Sequence, residues 1–166
     1  LISITNPQKV EEYKEKYASR SKQTADEKEQ DDVSIDLPED FMLLMEGQRH
    51  DPSWRAIVKY ALSRGFTKST MWAFRVGYSN EFGWQRRLII PSFDNEGKLN
   101  YLTGRSIDPE NNFRYKNLSA PRNSLVFNEI DIDWSKPLLI AEGPLDLVKV
   151  RMNCLLYTSP SPRDNT

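Results

Sequence analysis

A chain of 166 residues with 38% apolar side chains has material for one domain, or one domain with a tail, and not for several. Its formal charge of −1 conceals a split: residues 1–40 carry 6 basic and 11 acidic side chains, whereas residues 41–150 carry 15 basic and 12 acidic. No apolar run approaches the roughly 18 residues that span a bilayer, and no basic-then-apolar leader opens the chain, so a soluble cytoplasmic protein with no membrane partner is expected.

In chain order, residues 1–40 are expected to be a charged linker, with a short solvated helix at the start of "VEEYKEKYASRSKQTADEKEQDD". In "LPEDFMLLMEG", Pro38 marks a helix start and Phe41 to Met45 form a small apolar patch. Ser53 opens a stronger helix, in which Trp54, Ile57, Val58, Ala61 and Leu62 recur at the spacing of one buried face, and Gly65 closes it. Thr67 suits the N-cap of a second helix bearing Met71, Trp72, Phe74 and Val76, with Gly77 at its end. These aromatics already have a packing role and are assigned to core. His50, the single histidine, falls in a loop without a second ligand beside it and receives no function.

After Gly77 the texture changes. "RRLIIPSFD", "KLNYLTGRSID" and "LVFN" are short and rich in β-branched and aromatic residues, and Asn95-Glu96-Gly97 joins the first two as a hairpin. Pro137 introduces "LLIA", four apolar residues without alternation, as expected of a strand covered on both faces in an α/β sheet. The order is helices, an antiparallel meander, then the first strand and helix of a second unit. From Cys154 the sequence "CLLYTSPSPRD" has no helical or strand period. It back-translates to DNA resembling the adapter of transposase-based sequencing libraries, so residues 154–166 are expected to be a non-native tail. Setting aside Cys154, the only cysteine, leaves no disulfide and no cysteine-held metal.

Chemistry concentrates in two places. At the carboxyl end of the "LLIA" run, Glu142 stands where functional groups gather in open α/β sheets; Gly143 allows a sharp exit, Pro144 suits a first helical position, and Asp146 falls in the first helical turn. Two carboxylates this close repel unless a cation lies between them or one is protonated, and all-oxygen ligation favours Mg²⁺ or Mn²⁺ over Zn²⁺. The motif alone is short enough to recur by chance, so a purely structural role stays open. Upstream, the 39 residues from Trp84 to Arg122 hold seven basic and four acidic side chains. A solvated strand face would look similar. Placement argues for a ligand: Arg87 abuts "LII", Arg105 follows Gly104 and Lys116 neighbours Asn117, where backbone could approach phosphate oxygens.

Five segments in register, "LSRGFTKSTMWAFRVGYS", "RRLIIPSFDNEGKLNYLTGRSIDPE", "RYKNLSAP", "LVFN" and "LLIAEGPLDLVKV", resemble the DnaG-type DNA primases of bacteria and their phages over residues 53–150. The resemblance implies an α+β N-terminal primase core subdomain at 41–136 leading into the first strand and helix of a Toprim α/β fold at 137–153. It implies that Glu142 and Asp146 are catalytic and bind Mg²⁺ or Mn²⁺, and that Arg87, Arg105, Lys116 and Asn117 face nucleic acid or nucleotide. Implied partners are a single-stranded DNA template, ribonucleoside triphosphates and a replicative helicase, in a bacterial or phage-infected cell. The family's downstream Asp-x-Asp pair and upstream zinc module are not in this sequence. A fragment cut at both ends and inactive alone is therefore expected, with zinc belonging only to the upstream module. Two other readings remain: another Toprim enzyme (a topoisomerase, nuclease or recombination protein), or a non-enzymatic single-stranded DNA-binding module.

Overall fold

The computed structural model describes residues 35–118, 125–136, 140–141 and 143–157, together with residues 11, 12 and 15; side chains are described only as far as Val150. Glu11, Glu12 and Glu15 are helical and exposed, as expected of a solvated segment. A five-stranded antiparallel sheet forms the centre, in the order β1 (Met42–Leu43), β2 (Gly77–Tyr78), β3 (Arg87–Phe93), β4 (Leu99–Ser106) and β5 (Tyr115–Asn117). Helices α1 (Pro52–Ser63) and α2 (Lys68–Ala73) lie between β1 and β2, and α3 (Pro144–Tyr157) ends the described chain. The fold is α+β.

Local chemistry explains most of these elements. Asp51 caps α1 by accepting from the Ser53 amide at 2.8 Å, with Pro52 in the first turn where its missing N–H costs nothing. At the far end the Gly65 amide donates to Leu62 O and the Phe66 amide to Ala61 O, and Gly65 takes φ +88°. This is a Schellman closure, sealed by the burial of Ala61 and Phe66. Thr67 and Thr70 form a reciprocal capping box on α2. In the β3–β4 hairpin Asp94 Oδ1 accepts from the amides of Glu96 and Lys98 while Gly97 adopts φ +82°, so the turn expected at Asn95-Glu96-Gly97 is present.

Three expectations are corrected. Pro38 begins a turn, closed by the Phe41 amide on Pro38 O, and the apolar patch after it supplies strand β1 instead of a helix. Helix α2 stops at Ala73, and it is Arg75, not Gly77, that takes the left-handed conformation at φ +51° while the Val76 amide returns to Met71 O. Gly77 has another task. A Cβ there would meet the Phe41 ring at 2.3 Å and Met42 O at 2.6 Å, so the residue lets β1 close on β2. "LVFN" is not a strand: it runs into a turn and a 3₁₀ helix at Glu129–Asp131, held by the Asn128 amide on Ser92 Oγ and by Asn100 Nδ2 on Val126 O. The strand expected at 138–141 falls partly outside the described residues, and Ile140 and Ala141 have no strand pairing. Helix α3 runs through Tyr157.

Register fixes the two faces of the sheet. Leu88 pairs with Arg105, which pairs with Tyr115; Ile90 pairs with Thr103, which pairs with Asn117. Cross-strand partners share a face. This face carries the larger core, in which Leu88 and Ile90 join Ile57 and Ala61 of α1, Met71 of α2 and Leu145 and Val148 of α3. On the opposite face Ile89, Gly104 and Lys116 pair in a row, and Trp84, Ile89 and Leu102 form a smaller cluster. Strand β3 is therefore covered on both sides, which accounts for its unbroken run of buried residues from Arg87 to Ser92.

Candidate nucleotide-binding cleft

Helix α3 meets strands β4 and β5 at a cleft of about 330 Å³ lined by Tyr101, Thr103, Tyr115, Asn117, Gly143, Pro144 and Asp146. The side chains at 101 and 103 point this way because strand alternation sets them on one face, and the β4–β5 register brings Asn117 opposite Thr103. Thr103 Oγ1 donates to Asn117 Oδ1 at 2.7 Å. That bond uses the amide's acceptor and leaves its NH₂ donors for a ligand. Asp146 stands in the first turn of α3, exposed, with Lys149 Nζ 3.8 Å from Oδ1. Its own amide donates to Gly143 O at 3.1 Å, so the Gly143-Pro144 turn sets the direction of the acid.

Arg105 flanks this cleft. Its guanidinium lies 4.5 Å from the centroid of the Tyr115 ring, and Nε donates to Tyr60 Oη at 3.4 Å. Burial alone would lower its pKa, but the interactions with Tyr60 and Tyr115 outweigh it and raise the value. The site thus combines an exposed carboxylate and an amide donor, with a fixed cation at its margin against Tyr115. Such a set can grip a polar anion from one side and accept hydrogen bonds from its neutral part on the other.

Lys116 and Arg87 lie on the other face. Lys116 Nζ sits 4.3 Å from the centroid of the Trp84 ring, and a Cβ on Gly83 would come within 2.7 Å of it. The indole in turn rests on Gly104, where an added Cβ would approach Trp84 Cζ3 at 2.9 Å. Arg87 is 8% exposed and spends its donors on backbone: Nε on Gly83 O at 3.2 Å, Nη1 on Gly104 O at 3.3 Å and on Phe113 O at 3.0 Å. Burial lowers its pKa against the pull of Asp108, and it remains cationic. Arg86 forks onto Asp108, whose pKa falls chiefly because of that hydrogen bond.

The structure therefore brings Asn117 and Asp146 to one cleft with Arg105 at its margin, and sets Arg87 and Lys116 behind the sheet. Glu142 lies outside the described residues. The sequence did not single out Tyr101, Thr103, Tyr115 or Tyr60; alternation through "YLTGR" carried the signal for the first two, but only the register shows what they face. Among the described residues Asp146 alone lines this cleft with a carboxylate, and no three acidic, histidine or cysteine side chains gather as a metal would need. A divalent-cation site is thus not built from the described residues alone. Among the same residues no helix is long and apolar enough to cross a membrane.

No protein-family model matches the sequence, and no curated protein matches it. Solved structures do. The chain is similar to the E. coli primase catalytic core at 17% identity and a TM-score of 0.51, covering 64% of this chain and 47% of that one. Two further structures, a DnaG catalytic core and a DnaG primase catalytic domain bound to ssDNA, align at 15% and 16% identity with TM-scores of 0.36, covering 40% and 41% of this chain. The chain spans between about a third and a half of the length of these structures. What this establishes is a fold shared, in part, with the primase catalytic core.

Proposed function

We propose that this chain is part of a DnaG-type DNA primase and that its cleft takes a ribonucleoside triphosphate during primer synthesis on a single-stranded DNA template. The observation that carries the reading is the meeting of Asn117 and Asp146 in one cleft, with Arg105 stacked on the Tyr115 that lines it. Two groups of residues far apart in sequence, one from the basic meander and one from the acidic turn, converge there. The shared fold of the primase core supports the same reading.

In this account Arg105 binds phosphate oxygens, and Asn117 offers N–H donors to the sugar or base while Thr103 holds its amide in one orientation. Tyr115, already packed on the Arg105 guanidinium, gives the ligand a fixed aromatic wall. Glu142 and Asp146 are proposed to hold Mg²⁺ or Mn²⁺, which when bound supplies charge neutralisation for the triphosphate and the leaving pyrophosphate. The helicase partner is proposed on the resemblance alone.

Calorimetric titration of the 166-residue chain with ribonucleoside triphosphates tests the cleft. Arg105→Ala and Asn117→Ala are each expected to weaken binding, Arg105→Ala by about tenfold or more, since a charge-assisted hydrogen bond contributes roughly 1.5–3 kcal/mol. Equal affinity in wild type and both variants would remove the reading. A module that only binds single strands would hold DNA after chelation and after Glu142→Gln, and would show no triphosphate binding.

A further inference from the structure

We propose that Tyr60, on helix α1, is a positioning residue for the cleft: its hydroxyl fixes the Arg105 guanidinium so that the terminal N–H groups are kept for phosphate oxygens. The inference rests on the triphosphate reading above and adds to it a residue from outside the cleft wall.

Three arginines around the β3–β4 pair are secured in three ways. Arg86 forks onto the Asp108 carboxylate, so its charge is cancelled inside the fold. Arg87 is buried and donates to three backbone carbonyls. Arg105 is held by two tyrosines, with its guanidinium 4.5 Å from the centroid of the Tyr115 ring and its Nε donating to Tyr60 Oη at 3.4 Å. Among the described residues the side chains that act on its charge are these two, and neither is charged at neutral pH. Neutral partners hold the cation in place without neutralising it, which is what an anion-binding arginine requires.

The two contacts restrain different motions. Stacking on Tyr115 sets the plane of the guanidinium but leaves it free to slide and turn within that plane. The bond from Nε to Tyr60 removes that freedom, and because Nε is the donor nearest the chain, both terminal NH₂ groups remain as a fork. Tyr60 is itself carried on a fixed element. Ile57 and Ala61, on either side of it in α1, are both 0% exposed and share one core with Leu88, the cross-strand partner of Arg105. The hydroxyl therefore comes to the arginine from a helix locked against the same sheet, across 45 residues of sequence. A cation restrained before the ligand arrives loses less side-chain freedom on binding.

The test is calorimetric titration of the 166-residue chain with ATP. Tyr60→Phe keeps the ring and its packing and removes only the hydroxyl. It is expected to weaken ATP binding by roughly threefold or more, with the urea midpoint close to that of wild type. In an Arg105→Ala background the same substitution is expected to change nothing, because the group it positions is gone. Wild-type affinity in Tyr60→Phe, with Arg105→Ala weakened, would overturn the positioning role and leave the cleft reading intact. A loss of the same size with and without Arg105 would also overturn it, since Tyr60 would then act through another group. ATP binding indifferent to Arg105→Ala would remove the cleft reading and this proposal with it.

Discussion

Arg87 and Arg105 stand one strand apart in adjoining cross-strand pairs, Arg87 with Ser106 and Leu88 with Arg105, yet their side chains leave opposite faces of the sheet. Arg87 serves three carbonyls in a nearly dry setting, whereas Arg105 stacks on Tyr115 beside the cleft. Substitution should separate them. Arg87→Ala leaves Gly104 O, Phe113 O and Gly83 O without their donor and is expected to cost about 1–3 kcal/mol of folding stability. Arg105→Ala should change stability far less and triphosphate binding far more. Urea unfolding of both variants beside the binding titration checks this; a stability loss as large in Arg105→Ala as in Arg87→Ala would refute the assignment.

Gly104 lies under the Trp84 ring, and its replacement by Ala places a methyl 2.9 Å from Cζ3, 3.0 Å from Cε3 and 3.2 Å from Arg87 Cδ. The indole is 5% exposed and cannot swing away freely. Overpacking of this kind costs about 1–3 kcal/mol. Gly104→Ala is therefore expected to lower the urea midpoint and to shift the tryptophan emission, because Trp84 would move relative to the Lys116 ammonium. A variant with unchanged midpoint and spectrum would show that the indole has room that the packing denies it.

How much of this was legible beforehand depended on the range of the interaction. Asp51, Thr67, Gly65 and Gly97 act within a few residues of themselves, and the caps and turns they make could be read from neighbours alone, apart from the two-position choice between Ser53 and Asp51. The end of α2 was missed because Arg75 takes a conformation that favours glycine, and the burial of Phe74 and Val76 on either side of it is what holds it there. "LVFN" looked like a strand because its composition is that of one; its conformation is set by Ser92 and Asn100, more than twenty residues away. The basic set was read as a group and not by face. Only the pairing of β3 with β4 decides that Arg87 turns inward to carbonyls, and no local pattern encodes it. Leu62 and Trp72, read as core, are exposed because the helices rotate those positions away from the sheet.

Tyr78 predicts an alkaline limb in stability. Burial first, then its hydrogen bond to Asp51, raises its pKa from 10.0 to about 12. The folded state therefore keeps the proton longer than the unfolded chain does. Its contribution is fully present below pH 10 and is lost as pH rises from 10 towards 12, an effect of about 2–3 kcal/mol. The urea midpoint of wild type should fall more steeply over that window than the midpoint of Tyr78→Phe, which has no proton to lose. Parallel curves for the two proteins would place the tyrosine's titration outside the folding equilibrium.

Thr103 offers the finest test of the cleft, because it lines the wall and also acts through Asn117. Its hydroxyl holds Asn117 Oδ1 at 2.7 Å, and Val has the same shape without the donor. Thr103→Val should cost on the order of 1 kcal/mol of stability, the usual net value of one hydrogen bond. Released from its tether, the Asn117 amide can rotate and present either edge to the cleft, so triphosphate affinity is expected to fall by a few fold, less than in Asn117→Ala. Thr103→Ser restores the hydroxyl and should restore binding, even though it removes a methyl group from the wall. Rescue by Ser but not by Val would tie the effect to amide orientation. If Val binds as tightly as wild type while Asn117→Ala does not, Asn117 works without its tether, and the Thr103 bond serves only to join β4 to β5.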